Sequence, residues 1–378
     1  MANTNTVTNV IQQLLAQGLL ALRENAQMPR LVNRGYESVA GEKGSTIDIP
    51  IPSAITAQDV TPSYVPPDDA GISPTNVSIN LDQWVEAPFF LTDKELLEVQ
   101  EGTIPMQASE AIKALANDVD DYLFSLYKRV FGWSGVGGTT PFQTDLTEYL
   151  DARKELNNQL APMDPRYSVI NADAEAAALG LRAFQDASFR GDADGIIRGQ
   201  IGEKLGAMWV MDQNVPSHTA GDASGATTNA AGYALGIKTI TLASAGTGDI
   251  LEGDVITFAN HAQTYAVVTG DADVSDGGTV VFYPGLKTAL PTSAQAITVK
   301  PDHVVNLAFH RDAFALASRP FAGADPMGLG TYMSAVDPVS RLALRLEVSR
   351  QHKRTRFSYD ILYGAQLVRP ELAARMAG

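Results

Sequence analysis

Between positions 104 and 131 apolar residues recur at three- and four-residue spacing: Ile112, Leu115, Val119, Tyr122, Leu123, Leu126, Tyr127 and Val130. That period puts one apolar stripe on an α-helix. Thr103 is placed to cap its N-terminus, Pro105 fits the first turn, and Gly132 fits the C-terminal stop. At 1.5 Å per residue the helix is about 40 Å long. Such a length suits a structural spine along which the other elements are laid.

The segments before it are of two kinds. Residues 5–23 read as an amphipathic helix, with Val7, Ile11, Leu14, Leu15 and Leu22 on one face. It either packs on its own domain or docks as an arm on a neighbouring subunit, since termini stay ordered mainly when tied down. Residues 36–92 instead hold two alternating β-type runs, Thr46–Ile49 and Val77–Leu81, joined by a long excursion rich in proline. A connection of that length is often functional. From Asp59 to Glu101 nine acidic residues face a single Lys94.

Helix and strand signals alternate over 144–213: a helix over Leu146–Leu160, a strand over Tyr167–Ile170, a helix over Ala172–Phe184 and a strand over Ala207–Met211. Small residues over 215–232 read as an exposed loop or linker. Five short β runs follow, near 239–242, 255–258, 265–268, 280–283 and 296–299, separated by Gly/Asp turns. They predict a small all-β barrel or sandwich inserted into a mixed domain that resumes at Val304. The C-terminal segment is a hairpin. Leu342, Leu344, Leu346 and Val348, then Phe357, Tyr359, Ile361 and Tyr363, alternate with polar residues, so one face is buried and one is not. The polar face is basic, with Arg341, Arg345, Arg350, Lys353, Arg354 and Arg356 against Glu347.

Several functions are disfavoured. The 378 residues include no cysteine, which removes disulfides, thiolate metal sites and cysteine nucleophiles and fits folding in a reducing cytoplasm. No apolar run approaches the roughly 18 residues that span a bilayer, and the N-terminal stretch lacks the pattern of a signal peptide. A net charge of −15 is a poor footprint for a dedicated duplex-DNA binder. His310-Arg311-Asp312 matches a kinase tripeptide without its companions, and Ser125-Leu126-Tyr127-Lys128 lies inside the long helix with no partner motif. Gly135–Thr140 is glycine-rich but lacks the Walker lysine and reads as a hinge. Asp271–Asp276 has neither the glycine nor the glutamate of a calcium loop and reads as a hairpin turn. The histidines at 218, 261, 303, 310 and 352 show no metal-ligand spacing. We expect no catalytic, cofactor-binding or metal residues and a structural role.

The opposed charge runs give candidate intersubunit contacts. Asp59, Asp68 and Asp69 of the acidic arm would meet Arg345, Arg350, Arg354 or Arg356 of a neighbour; the alternative is two independently solvated surfaces. Exposed pairs contribute only about 0–1 kcal/mol each, but repetition over many copies would set a register.

In order, then, the chain has a helical arm, a Pro-rich extended hairpin, a spine helix, a mixed domain, a β insertion and a basic hairpin. The series resembles the major capsid (coat) proteins of tailed bacteriophages with the HK-97 fold, in the P-22-like branch that carries an inserted β domain. The residues carrying the resemblance are the strings from Ala26 to Arg34, Val85 to Leu96, Arg356 to Gly364 and Val368 to Ala373. It implies an α+β capsid fold. Residues 1–35 would be the N-arm, and 36–92 the E-loop with its flanking strands. Residues 93–140 and 341–378 would form the peripheral domain, 141–215 and 301–340 the axial domain, and 216–300 a barrel-like insertion. The implied function is self-assembly, through pentamers and hexamers, into an icosahedral shell around packaged phage DNA. The implied location is the virion capsid, assembled in the host cytoplasm. Implied partners are copies of itself, scaffolding and portal proteins, a decoration protein, and double-stranded DNA through non-specific contacts, with no membrane. Some related shells are cross-linked between lysine and asparagine; Lys43, Asn76 and Asn80 alone support no such claim, and non-covalent cohesion is expected. A compartment shell of the same fold, enclosing a cargo enzyme, is the nearest alternative. A multidomain enzyme with a β accessory domain is a more distant one.

Overall fold

The structure is a computed structural model of the chain. It describes residues 27–36, 46–53, 72–98, 103–185, 201–319, 330–336 and 342–378, with the isolated positions 55, 57, 60, 62 and 199. The expected arm helix over 5–23, Lys43 and the acidic candidates Asp59, Asp68 and Asp69 lie outside the described residues.

The spine helix runs from Thr103 to Ser125 and tightens into a 3-10 turn over Leu126–Arg129. Ile112, Leu115, Ala116, Val119, Leu123 and Phe124 of its apolar stripe are buried. It is shorter than the periodicity predicts, and Gly132 is not its stop. Gly132 opens the strand β4 (Gly132–Gly135), where a Cβ would lie 2.9 Å from the Ala373 carbonyl oxygen. The glycine answers close strand contact rather than a left-handed helix end.

An antiparallel sheet covers this stripe. Its path is β15 (Phe314–Ser318), β18 (Arg354–Leu367), β17 (Ala343–Gln351) and β16 (Gly330–Val336), with β3 (Gln83–Thr92) paired along β18 from Arg354 to Tyr363. The alternation read from the sequence sorts its faces. Val85, Ala87 and Phe89 join Leu344, Leu346, Tyr359, Ile361 and Tyr363 in the core that includes the spine helix. Phe89 and Phe357 stack with ring centroids 5.1 Å apart. The Tyr363 hydroxyl donates to Asp118 Oδ2 of the helix at 2.7 Å.

A second sheet follows the order β4, β19 (Ala373–Ala377), β14 (His303–His310), β5 (Arg166–Ile170), β7 (Ala207–Met211) and β6 (Gly202–Lys204). The short β8 (Ser217–His218) joins it by pairing with the start of β14. The helix Thr147–Asn158 buries Tyr149, Ala152 and Leu156 beneath it. The helix expected over 172–184 breaks in two. Asn171 caps Ala172–Gly180 by accepting from the Ala174 amide at 3.1 Å, Leu181 is extended, and a short turn over Arg182–Gln185 follows.

The chain passes between the two sheets more than once. β15 and β16, from 301–340, belong to the sheet of the C-terminal hairpin. β19, from 341–378, crosses back to lie between β4 and β14. All five β19 residues are buried, so Ala-Ala-Arg-Met-Ala is a central strand and shows no alternation. Short 3-10 turns at Arg311–Ala313 and Pro370–Leu372 carry the chain across.

The insertion is a small barrel. Its antiparallel order is β13 (Ile297–Val299), β10 (Val255–Phe258), β11 (Tyr265–Thr269), β12 (Thr279–Tyr283) and β9 (Thr239–Thr241). Thr227 bridges Ala296 beside one edge strand and Thr228 bridges Leu242 beside the other, which closes the sheet. The 215–232 stretch is therefore not simply an exposed loop: Ala226 and Thr228 are buried within the closure. The barrel has its own core of Ile240, Ile256, Phe258, Tyr265, Val280 and Phe282, separate from the main one.

The extended hairpin is founded on β1 (Thr46–Ile51) and β2 (Thr75–Asn80), antiparallel from Thr46↔Asn80 to Ile51↔Thr75. Ile47, Ile49, Ile79 and Leu81 pack on Ala315, Ala317 and Val368, fixing its foot to the edge of the first sheet. At Gly364 a Cβ would stand 2.0 Å from the Asn80 carbonyl oxygen, so only glycine lets the hairpin sit there.

Candidate functional site

The motifs that hinted at chemistry resolve into local structure. His310 Nδ1 accepts from the Asp312 amide at 3.2 Å, which makes His-Arg-Asp the cap of a 3-10 turn between the sheets. The Ser125 hydroxyl donates to the Tyr122 carbonyl. Asp273 accepts from the amide and hydroxyl of Ser275, tightening a turn. Among the described residues no three His, Cys, Asp or Glu side chains are grouped to hold a metal.

The basic hairpin finds its counter-charges inside the chain. Arg345 forks onto Asp360, with Nε donating to Oδ1 at 2.9 Å and a second bond from the guanidinium to Oδ2. The Trp84 indole N–H also donates to Asp360, at 3.0 Å. This pair is mostly buried, and the carboxylate holds the Arg345 pKa above its ordinary value. Arg356 donates to Glu86 Oε1 at 2.8 Å, while Ser358 holds Oε2. Arg350 donates to Asp93 at 2.6 Å. Arg354 differs: it donates to Gln351 and lies 5.0 Å from the Phe90 ring centroid. Glu86 and Asp93 belong to the acidic run, and the register of β3 on β18 aligns Glu86 with Asp360 and Phe90 with Arg356. Much of the charge polarity legible in the sequence is thus neutralised within one subunit.

Some of the most exposed large apolar side chains among the described residues lie between β1 and β2. Ile55, Val60 and Ile72 are 80%, 92% and 71% exposed. At the hairpin foot a groove of about 710 Å³ runs between Ile51, Pro52, Leu160, Tyr283 and Leu372. Leu160, 89% exposed, stands at its rim with φ of 61°, a conformation that costs a leucine about 1 kcal/mol or more.

Sequence reasoning missed a buried polar junction that fastens the barrel to the core. Tyr127 Oη lies 2.9 Å from His218 Nδ1, and His218 Nε2 lies 2.9 Å from Asp254 Oδ1. Asp254 also accepts from the Leu251 and Gly221 amides. Arg375, wholly buried, donates to the Gly253 carbonyl and the Tyr127 carbonyl, both at 2.9 Å, and stacks over the Tyr127 ring. Burial pushes the Arg375 guanidinium down to about 10. His303 is the strand partner of His218, and its ring meets Trp133 edge-on with centroids 4.6 Å apart. A Tyr–His–Asp line suggests general-base chemistry, but Asp254 has no exposed surface and His218 is 4% exposed. No substrate reaches it, and the cluster is a joint. Its members lie at 127, 218, 254, 303 and 375, and no local spacing could have joined them. Further hydrogen bonds tie the barrel down: Thr264 to the Phe131 carbonyl, Lys287 to Gln159, and Tyr283 to Glu371.

No protein-family model and no curated protein matches the sequence. Solved structures do match. A structure from Mycobacterium phage Che8 superposes with a TM-score of 0.53 at 19% identity, covering 93% of this chain and 90% of that one. The capsid structure of the cyanophage P-SCSP1u superposes with a TM-score of 0.53 at 13% identity, covering 93% and 87%. At such identities the likeness is one of fold, and it covers nearly the whole chain. The chain has the HK-97-like capsid fold.

Proposed function

We propose that this protein is the major capsid protein of a tailed phage, whose copies assemble into an icosahedral shell around packaged DNA. The observation that carries the reading is the capsid fold over 93% of the chain. The exposed Ile55, Val60 and Ile72 support it, because a neighbouring copy laid over them would bury apolar surface. In this reading the sheet on the spine helix is the peripheral domain. The sheet from β4 to β6 is the axial domain, which meets its symmetry mates in pentamers and hexamers. Scaffolding, portal and decoration proteins are the expected partners, and contacts with DNA are phosphate-directed and sequence-independent. The shell resides in the virion after assembly in the host cytoplasm.

The acidic arm is proposed to reach a neighbour's hairpin through Asp59, Asp68 and Asp69. Its best-placed target is Arg354, which meets Gln351 and Phe90 rather than a carboxylate among the described residues. Arg345, Arg350 and Arg356 would have to share the carboxylates they already hold.

Negative-stain electron microscopy of the purified protein tests the reading. Closed particles of uniform size are expected, and a protein that stays monomeric with its scaffolding partner present refutes it. Nucleic acid inside particles from infected cells distinguishes a phage shell from a compartment loaded with enzyme.

A further inference from the structure

We propose that the neck of the inserted barrel is an acid-operated joint: a proton taken up by His303 releases the barrel from the core while each keeps its own fold. The chain enters the insertion through β8 and leaves it through β14, and His218 and His303 face each other across those two strands. Their ring centroids are 5.1 Å apart. One titratable pair thus sits where the barrel is tethered.

The surrounding charges are balanced only while His303 is neutral. Asp254 from the barrel and Arg375 from β19 supply one charge of each sign, both fully buried. His218 is held between Tyr127 and Asp254. His303 Nδ1 lies 2.9 Å from the Pro301 carbonyl, which makes it the donor and leaves Nε2 as the bare nitrogen. That Nε2 is buried and meets no hydrogen-bond partner. A second proton would sit there without an acceptor, in the field of the Arg375 guanidinium. The other charged groups near the neck lie toward its outside. Lys300 Nζ lies 5.7 Å from the Trp133 ring centroid, the Lys128 stem covers Gly253, and Asp302 accepts from the Ala220 amide.

Burial, with Arg375 and His218 adding to it, pushes His303 down to about 4, while the Pro301 carbonyl and Asp254 pull the other way. Once the neck opens, the imidazole returns toward 6.5. A histidine whose pKa is lower in the closed state favours closure at neutral pH and opposes it as pH falls from about 6.5 to about 4. Linkage then shifts the balance of open over closed necks by about 300-fold across that window. Release rather than collapse is expected because, among the described residues, the barrel and the main body bury separate apolar clusters and meet through a narrow contact. The barrel closes on its own buried cluster, and the other ties are hydrogen bonds through Thr264, Lys287 and Tyr283 and one ring contact, Tyr283 on Phe131 with centroids 5.9 Å apart.

Hydrogen-exchange protection factors of the full chain, followed from pH 7.5 to 3.5, test the joint. Trp133 emission gives a second readout, because a protonated imidazole against the indole quenches it. Amides of β8, Gly221 and Val304 should lose protection between pH 6.5 and 4 while β10, β11 and β12 stay protected, and emission should fall over the same range. His303→Asn keeps an amide N–H near the position of Nδ1 and does not titrate, so its neck should stay closed to pH 3.5. His261→Gln, on the barrel away from the neck, should behave as wild type. Loss of neck and barrel protection with one midpoint overturns the proposal, as does an unchanged transition in His303→Asn. Should that variant fail to fold, the wild-type order of opening decides, with Trp133→Phe identifying the emission signal.

Discussion

Replacing Asp120 by asparagine should make the subunit more stable, and the gain should depend on pH. Asp120 sits on the spine helix with no exposed surface, and both carboxyl oxygens lack a hydrogen bond of good geometry. No cation faces it. Its neighbours are Asp212 at the end of β7, Asp121, the Gln27 backbone and Asn214. Burial first, and Asp212 second, raise its pKa from 3.8 to about 8. The Asp212 carboxyl is raised too, mainly by burial. The folded state therefore keeps a proton on Asp120 that the unfolded chain releases above pH 4. Stability is lost as pH rises from about 4 to about 8 and is constant beyond. At pH 7 the gap is about three pKa units, which at about 1.4 kcal/mol per unit is on the order of 4 kcal/mol. Asparagine has nearly the same shape, does not ionise, and its amide can donate to Asp212. Urea titrations of the unassembled subunit at pH 4, 7 and 9 measure the difference. We expect almost none at pH 4, several kcal/mol in favour of Asp120→Asn at pH 7, and slightly more at pH 9. A difference independent of pH, or a variant less stable at pH 7 than wild type, would refute the reasoning.

Three further outcomes follow from the geometry. Gly364→Ala forces a Cβ to within 2.0 Å of the Asn80 carbonyl, so the β1–β2 foot must shift; soluble subunits that form no regular particles by electron microscopy are expected. Arg345→Met keeps the aliphatic stem but leaves Asp360, 5% exposed by side chain, with the Trp84 N–H and no Arg345 cation, and should cost about 3 kcal/mol in a denaturant titration, part of it regained with Asp360→Asn. The double change Asp68→Lys and Asp69→Lys should leave the subunit folded by circular dichroism and impair assembly; normal particle yields would remove the proposed arm contact.

Two elements mark how far sequence reading reaches. The spine helix and the two-faced hairpin were legible because helical and strand periodicity are properties of neighbouring residues. β19 was not, because a strand buried on both faces shows no period, and Ala-Ala-Arg-Met-Ala resembles the end of a helix as much as a strand. The closure of the barrel by residues 226–228 was hidden similarly, since single bridges leave no pattern. The charge pattern was legible in the sequence, but the carboxylates that the hairpin arginines meet within the chain were not. Arg356 meets Glu86 from 270 residues away, through a register that no local pattern encodes.

By itself, the sequence determined the local grammar: a spine helix, a Pro-rich extended excursion, a β insertion between halves of a mixed domain, and the absence of disulfides. Those features depend on backbone preference and side-chain spacing over a few turns or strands. Only the tertiary structure decided which charges cancel within a subunit. It also decided which strands pass between the two sheets, and that Tyr127, His218, Asp254, His303 and Arg375 converge on one dry joint. The physical reason is burial. In water those five groups would be unremarkable polar residues, whereas away from it each must find its partner across the fold.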